Sequence, residues 1–231
     1  MIEFIIHVKI FNDFQGQIKK DWIYLENKQK VYFFQKYYFA KNLADVDNKK
    51  NLYNVVVYHQ NEPVAIFPFQ IKIFKNIKIL QWLGTNLVDY CCPIILYNKI
   101  FDEKNFKITW NKILDEISFY DLIYLNKQPD SIFKSCNPFV QFLKNEYHSK
   151  IFLIKLDKRN NDYLSSIENK KFVSELRRTK KKLFEENEVV FEEPKLEDKK
   201  NIIKKIIETK NSYLREKNIS YSIDKRFIKL F

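Results

Sequence analysis

Apolar residues recur along this chain with two different spacings, and each change of spacing marks an element. Residues 2–10 are rich in Ile, alternate loosely and predict a strand. Asp13 to Leu43 reads as mainly helical, with Trp22, Leu25, Phe33, Phe34, Tyr37 and Tyr38 on its buried side, and a polar loop follows from Asp45 to Asn51. The strongest β signal comes next. Tyr53–His59 and Val64–Ile71 are β-branched and aromatic runs around the polar Gln60-Asn61-Glu62-Pro63, the pattern of an antiparallel hairpin. Pro68 falls inside the second run, which predicts a bulge or an edge position there. A third run, Ile77–Leu83, ends at Gly84, and a fourth, Cys92–Tyr97, follows Asp89-Tyr90.

The spacing then returns to three and four. Phe106, Trp110, Ile113, Leu114 and Ile117 predict a helix over 101–117. Asp121–Asn126 reads as a compact strand, the segment Phe139–Leu143 after Pro138 as a short helix, and Ile151–Leu156 as another strand. The charge run Asp157–Asn161 is the best candidate domain boundary. Beyond it, a helix over Lys170–Glu186 places Phe172, Val173, Leu176, Leu183 and Phe184 on one arc, with Arg177, Arg178, Lys181 and Lys182 on the opposite one. A short strand is expected at Val189-Val190-Phe191. A second amphipathic helix, Leu196–Glu216, is expected to bury Ile202, Ile203, Ile206, Ile207, Tyr213 and Leu214.

Composition narrows the class. The chain has 231 residues, 45% of them hydrophobic and 16% aromatic, which is enough to bury a core and far from a disordered composition. With only 2 Gly and 6 Pro, long flexible linkers are not expected. The net charge of +12 suits anionic partners, whether nucleic acid, an anionic membrane or a phosphorylated small molecule, without choosing among them. Three cysteines, two of them adjacent, make neither a disulfide framework nor a zinc site, so a reducing cytoplasm is expected and no metal. The N-terminal apolar run is too short for a signal peptide, and no stretch approaches the roughly 20 apolar residues that span a bilayer.

Two segments stand out chemically. The basic arc at 177–182 can hold phosphate through guanidinium hydrogen bonds and lysine charge, or can be a solvated face paired with Glu175, Glu185 and Glu186. In Gly84-Thr-Asn-Leu-Val-Asp-Tyr90, a rare glycine at a strand end implies a backbone bend, after which Asp89 and Tyr90 sit on a loop as binding groups or as a simple turn. His59, alone at a strand end, reads first as structural. Cys91 and Cys92 have no nearby base in sequence and read as buried, inert thiols. Neither common Gly-rich phosphate loop occurs.

Taken in order, these residues resemble the CelD/BcsL-type acetyltransferases, related to the FemAB-like enzymes of the GNAT superfamily. The match runs from Trp22 and Phe33-Phe34-Gln35-Lys36-Tyr37-Tyr38, through the strand Pro63–Phe69, Leu83-Gly84, Asp89-Tyr90 and Pro93-Ile94-Ile95, to Tyr163-Leu164, Lys170-Lys171, Leu176-Arg177-Arg178 and Val189-Val190-Phe191. The resemblance implies an α/β (α+β) fold, a GNAT-like mixed, largely antiparallel sheet flanked by helices. It places a first module at 1–158 and the start of a second, incomplete one at 159–231, which would bind acyl-CoA.

On this resemblance the chain is expected to be an acyl-CoA-dependent N- or O-acyltransferase. Acetyl-CoA or another acyl-CoA would be the co-substrate, and a sugar, glycan, cell-envelope precursor or other small molecule the acceptor. Asp89, Tyr90, Arg177, Arg178 and Lys181 are the residues expected to contact substrate or cofactor; no catalytic residue is carried over. Peripheral contact with an anionic membrane is compatible with the charge, and nucleic acid is not the expected partner. Two other readings stay open, a basic module stacking nucleic-acid bases on Tyr32–Tyr38 and a non-catalytic interaction domain.

Overall fold

The computed structural model describes residues 5–46, 51–85, 87–96, 102–132, 135–146, 164, 167–220 and 223. The chain divides into two compact units, one of residues 1–145 with 203–231, the other of residues 146–202. The first is mixed α/β, a mostly antiparallel sheet flanked by helices, as expected.

Strand β1 (Ile6–Phe11) pairs antiparallel with β2 (Leu52–His59), and β2 with β3 (Glu62–Phe74). The β2–β3 hairpin forms as the alternation predicts. Its turn residues Gln60 and Asn61 both hold positive φ, 50° and 65°, the conformation that matches the twist of two tightly joined strands. On its other edge β3 changes partner. Its first half pairs with β5 (Ile94–Ile95), its second half with β4 (Ile77–Trp82), and both pairings are antiparallel. Strand β6 (Leu122–Ile123) closes the sheet parallel to β4.

Pro68 is neither on an edge strand nor at the bulge. It pairs with Asn54 within the central strand, and the register shift falls at Val57/Tyr58. The Pro68 carbonyl accepts from Leu83 N at 2.9 Å, one residue beyond the end of β4. Its missing N–H therefore faces the place where one neighbouring strand ends and the next takes over, so no ladder bond is lost.

One sheet face carries Phe67, Phe69 and Trp82. Against it lie α3 (Glu103–Glu116), opened by an Asp102 cap that accepts from Asn105 N, and α4 (Pro138–Phe142), opened by Asn137 with Pro138 at its first position. Phe139 sits among Trp82, Phe106 and Trp110 with ring centroids 5.0–5.4 Å away, and Phe69 stacks on Trp82 at 4.7 Å. Aromatic pairs at such distances add about 1 kcal/mol each beyond area burial. The other face meets α1 (Gln17–Lys28). There Tyr58 donates its hydroxyl to Asp21 Oδ2 at 2.5 Å, and Gln17 donates to Asp21 Oδ1 at 2.8 Å, so this buried carboxylate is satisfied on both oxygens. A small hairpin of β7 (Ser131–Ile132) and β8 (Ser135–Cys136) precedes α4.

The segment 13–43 is mainly helical, as expected, but in pieces: α1, a 3-10 turn at Phe33–Gln35, and α2 (Tyr37–Val46), which takes in the start of the expected polar loop. The break changes which aromatics are buried. Trp22, Leu25 and Tyr37 are in the core, but Phe33 is 59% exposed and Tyr38 is 64% exposed, because the turn rotates them off the face that continuous helical spacing would give.

In the second unit α5 spans Lys170–Glu186, the residues its periodicity predicts, with Asn169 as a cap accepting from Phe172 N at 3.0 Å. The strand expected at 189–191 does not form. Those residues have no regular secondary structure and pair with no strand among the described residues, and Phe191 lies against Phe184 with centroids 6.2 Å apart. Helix α6 covers Leu196–Glu216, with residues 196–202 in the second unit and 203–216 in the first. Of its expected buried face, Ile207 and Leu214 are buried, whereas Ile202, Ile206 and Tyr213 are exposed. The strand expected at 151–156 and the boundary at 157–161 lie outside the described residues, as do residues 2–4 and Tyr97 of the first and fourth runs.

Candidate functional site

The segment Gly84–Pro93 leaves the end of β4, turns, and returns as β5. Gly84 has φ 70°, and a Cβ there would lie 2.1 Å from Leu43 Cδ2, so both its conformation and its space require glycine. The turn closes with Leu87 N donating to Gly84 O at 2.7 Å. Val88 and Cys91 are buried, while Asp89 between them is exposed and Tyr90 half-buried.

Lys127 fixes this arrangement from both sides. Its Nζ donates to Val88 O at 2.8 Å, and its own carbonyl accepts from Cys91 N at 3.0 Å. Two anchors on one residue leave Asp89-Tyr90 as the crest of a pinned loop. Lys127 itself holds φ 56°, in the left-handed region.

Beneath the crest, Tyr90 stacks on Tyr32 with centroids 5.2 Å apart and planes 13° from parallel, and lies 6.3 Å from Phe34. Gln35 ties the two chain segments of this stack together. Its Oε1 accepts from Tyr32 N at 2.8 Å, and its Nε2 donates to Cys92 O at 3.2 Å and Pro93 O at 2.7 Å. The Gln35 carbonyl in turn accepts from Trp22 Nε1 at 2.8 Å, and Tyr32 donates its hydroxyl to Ser131 O at 3.2 Å. A buried amide with its groups satisfied in this way makes a rigid support. The result is an aromatic surface extended by Phe33 and Phe39, on a loop where Asp89, next to Tyr90 in sequence, is exposed.

Chemically, such a surface takes a ring by stacking and an amine or hydroxyl by hydrogen bonding to Asp89. The adjacent thiols Cys91 and Cys92 are buried. Burial pushes Cys91 up to about 12, against smaller lowering effects from Thr85 and Lys127, and burial likewise pushes Cys92 up. Both therefore stay protonated, as buried thiols are expected to.

The structure brings Asp89 and Tyr90 together on one loop of the first unit. Arg177, Arg178 and Lys181 share α5 of the second unit, all exposed, with Lys181 paired to Glu185 at 3.6 Å and the neighbouring Lys182 to Glu186 at 3.7 Å. The sequence pointed to Tyr32 and Gln35 only as members of the aromatic run Tyr32–Tyr38, not as partners of Tyr90, and did not point to Lys127 at all. Gln35 had a visible signal, the one polar uncharged side chain interrupting Tyr32–Tyr38; Lys127 had none. Among the described residues no group of three or more His, Cys, Asp or Glu is arranged to hold a metal ion.

No family model matches this sequence, and no curated protein matches it. Among solved structures, an aminoglycoside acetyltransferase from an uncultured soil metagenomic sample, in complex with sisomicin, aligns at TM-score 0.38 and 13% identity over 66% of this chain and 97% of its own. The same acetyltransferase in complex with trehalose aligns at TM-score 0.33 and 12% identity over 85% and 99%. A GNAT family acetyltransferase from Staphylococcus aureus aligns at TM-score 0.36 and 13% identity over 64% and 98%.

Proposed function

We propose that this chain is an acyl-CoA-dependent acyltransferase acting on an amine or hydroxyl of a small ring-bearing acceptor such as a sugar or glycan unit. The observation that carries the reading is the pinned Asp89-Tyr90 crest over the Tyr32 stack. It offers a stacked aromatic pair on a pinned loop whose adjacent residue, Asp89, is an exposed carboxylate. The ordered sequence resemblance to GNAT-type acetyltransferases supplies the reaction class.

In this reading the acceptor ring lies on the aromatic surface and its amine or hydroxyl is held by Asp89. Arg177, Arg178 and Lys181 supply the chemistry that pairs with the phosphates of CoA, bidentate for the guanidinium groups. The acceptor heteroatom attacks the thioester carbonyl, its bond to the acyl carbon forms, the C–S bond breaks, and the acceptor's proton is released as CoA leaves as a thiol.

Calorimetric titration with acetyl-CoA, followed by thiol release in the presence of aminosugar, sugar and polyol acceptors, tests this. Asp89→Asn is expected to raise the acceptor KM at least tenfold and leave acyl-CoA affinity unchanged. Arg177→Ala with Arg178→Ala is expected to weaken acyl-CoA binding at least tenfold. Absence of acetyl-CoA binding together with absence of thiol release for every acceptor would overturn the reading.

A second reading is favoured by the exposure of Phe33 and Tyr38, which sequence spacing assigned to the core. Exposed aromatics with Lys36 between them offer stacking faces to single-stranded nucleic acid, at about 1–3 kcal/mol per base. Submicromolar oligonucleotide binding that falls steeply with salt and is lost in Phe33→Ala would favour it.

A further inference from the structure

Helix α5 is built against its own dipole. Lys170 and Lys171 occupy its first turn and Glu185 and Glu186 its last, the reverse of what the helix field favours. Asn169 caps it and two i,i+4 ion pairs support it, but exposed pairs contribute little. A helix of this kind depends on burying its apolar arc. Of that arc only Val173 is buried. Phe172, Leu176, Leu183 and Phe184 remain between 37% and 48% exposed, and Phe191, lying against Phe184, is 85% exposed.

The charges around this arc decide what covers it. The helix carries seven basic residues against three acidic. At 100° per residue, Lys170, Arg177 and Lys181 border the arc on one side, and Lys180 falls within it, its Nζ 5.8 Å from the Phe184 ring centroid. A lysine in the middle of an apolar contact is unfavourable in a protein–protein interface, whose centre is depleted of charge. A second copy would also bring one strongly basic helix against another, in a chain of net charge +12. An anionic lipid surface accommodates both features. Lys180 extends along apolar surface to place its ammonium among headgroup phosphates, while the Phe and Leu side chains enter the acyl boundary.

We infer that α5, with Phe191 beside it, is an interfacial helix that docks this protein on anionic membranes. It lies in the plane of the surface, since no helix among the described residues is long and apolar enough to cross a membrane. The docking needs no acyltransferase activity and is read without it.

The test uses the full chain and vesicles of equal parts phosphatidylglycerol and phosphatidylcholine, with pure phosphatidylcholine as the reference. Co-sedimentation is expected with the first and not the second, falling as salt rises. Lys170→Gln, Lys180→Gln and Lys181→Gln are each expected to lower the partition coefficient about fivefold. Phe184→Ser with Phe191→Ser is expected to lower it at least tenfold while circular dichroism stays unchanged. Phe184→Trp supplies a direct reporter, because Trp22, Trp82 and Trp110 are all buried; its emission is expected to shift to the blue on anionic vesicles only. No binding at low salt would overturn the inference. So would binding that the Phe184/Phe191 changes leave intact, which would mean attraction by net charge alone, or an unshifted emission from the Phe184→Trp variant on saturating vesicles. A dimer in sedimentation velocity that dissociates on the Phe184/Phe191 change would assign the face to a second copy and overturn it as well.

Discussion

Leu43 leaves no room for a side chain at residue 84. A Cβ there would meet Leu43 Cδ2 at 2.1 Å and Cγ at 2.7 Å, and φ 70° is a left-handed conformation that L side chains rarely adopt. Strain at such a φ costs about 1–3 kcal/mol, and forcing a methyl into a packed core costs a similar amount. Gly16 provides the internal control, with φ 62° but nothing within 4 Å of its own Cβ position. Gly84→Ala is therefore expected to lose about 3–4 kcal/mol of stability and Gly16→Ala about 1 kcal/mol, measured by urea unfolding. Equal losses would mean that the Gly84–Leu43 contact yields easily and does not set the bend that presents Asp89.

Turns and caps are where local sequence controls this fold, and the β2–β3 hairpin shows how far. Gln60 and Asn61 both occupy the left-handed region, which Asn tolerates and Gln tolerates poorly. Gln60→Asn with Asn61→Gly keeps the turn and removes this cost, so the midpoint of thermal unfolding is expected to rise by about 2–4 °C. A fall would show that the Gln60 side chain contributes a contact worth more than the strain. The same locality explains what could be read from residues alone. The hairpin, α3 and α5 each depend on spacing within one segment, and each appears where its periodicity puts it. Features that depend on distant partners were not legible. The parallel pairing of β6 with β4 and the exchange of neighbours at Pro68 follow from where other elements end. The candidate site divides in the same way. Gly84 announced the loop that carries Asp89 and Tyr90, but the clamp from Gln35 reaches 57 and 58 positions along the chain and that from Lys127 reaches 39.

Alkaline pH tests the core of the first unit as a whole. Cys91 and Cys92 are held neutral chiefly by burial, and Tyr58 is raised first by burial and then by its hydrogen bond to Asp21. For each of these groups the folded chain binds its proton more tightly than the unfolded chain does. Their contribution to stability is therefore complete below the ordinary thiol value of 9.0 and is lost as pH rises through it, with Tyr58 adding to the decline above 10.0. Each thiol that is ionised only in the unfolded chain steepens the loss by about 1.4 kcal/mol per pH unit. Unfolding free energy measured by urea at pH 8, 9, 10 and 11 is expected to be level at first and then to fall with growing slope. In Cys91→Ala with Cys92→Ala the starting stability is lower, because two buried sulfur atoms are removed, but the slope between pH 9 and 11 is expected to be shallower by up to about 2.7 kcal/mol per unit. That difference in slope, and not the difference in level, is the reading that matters. A double variant with an unchanged slope would mean that both thiols reach water in the folded state, and that the loop from Val88 to Pro93 is not sealed by the Lys127 and Gln35 contacts.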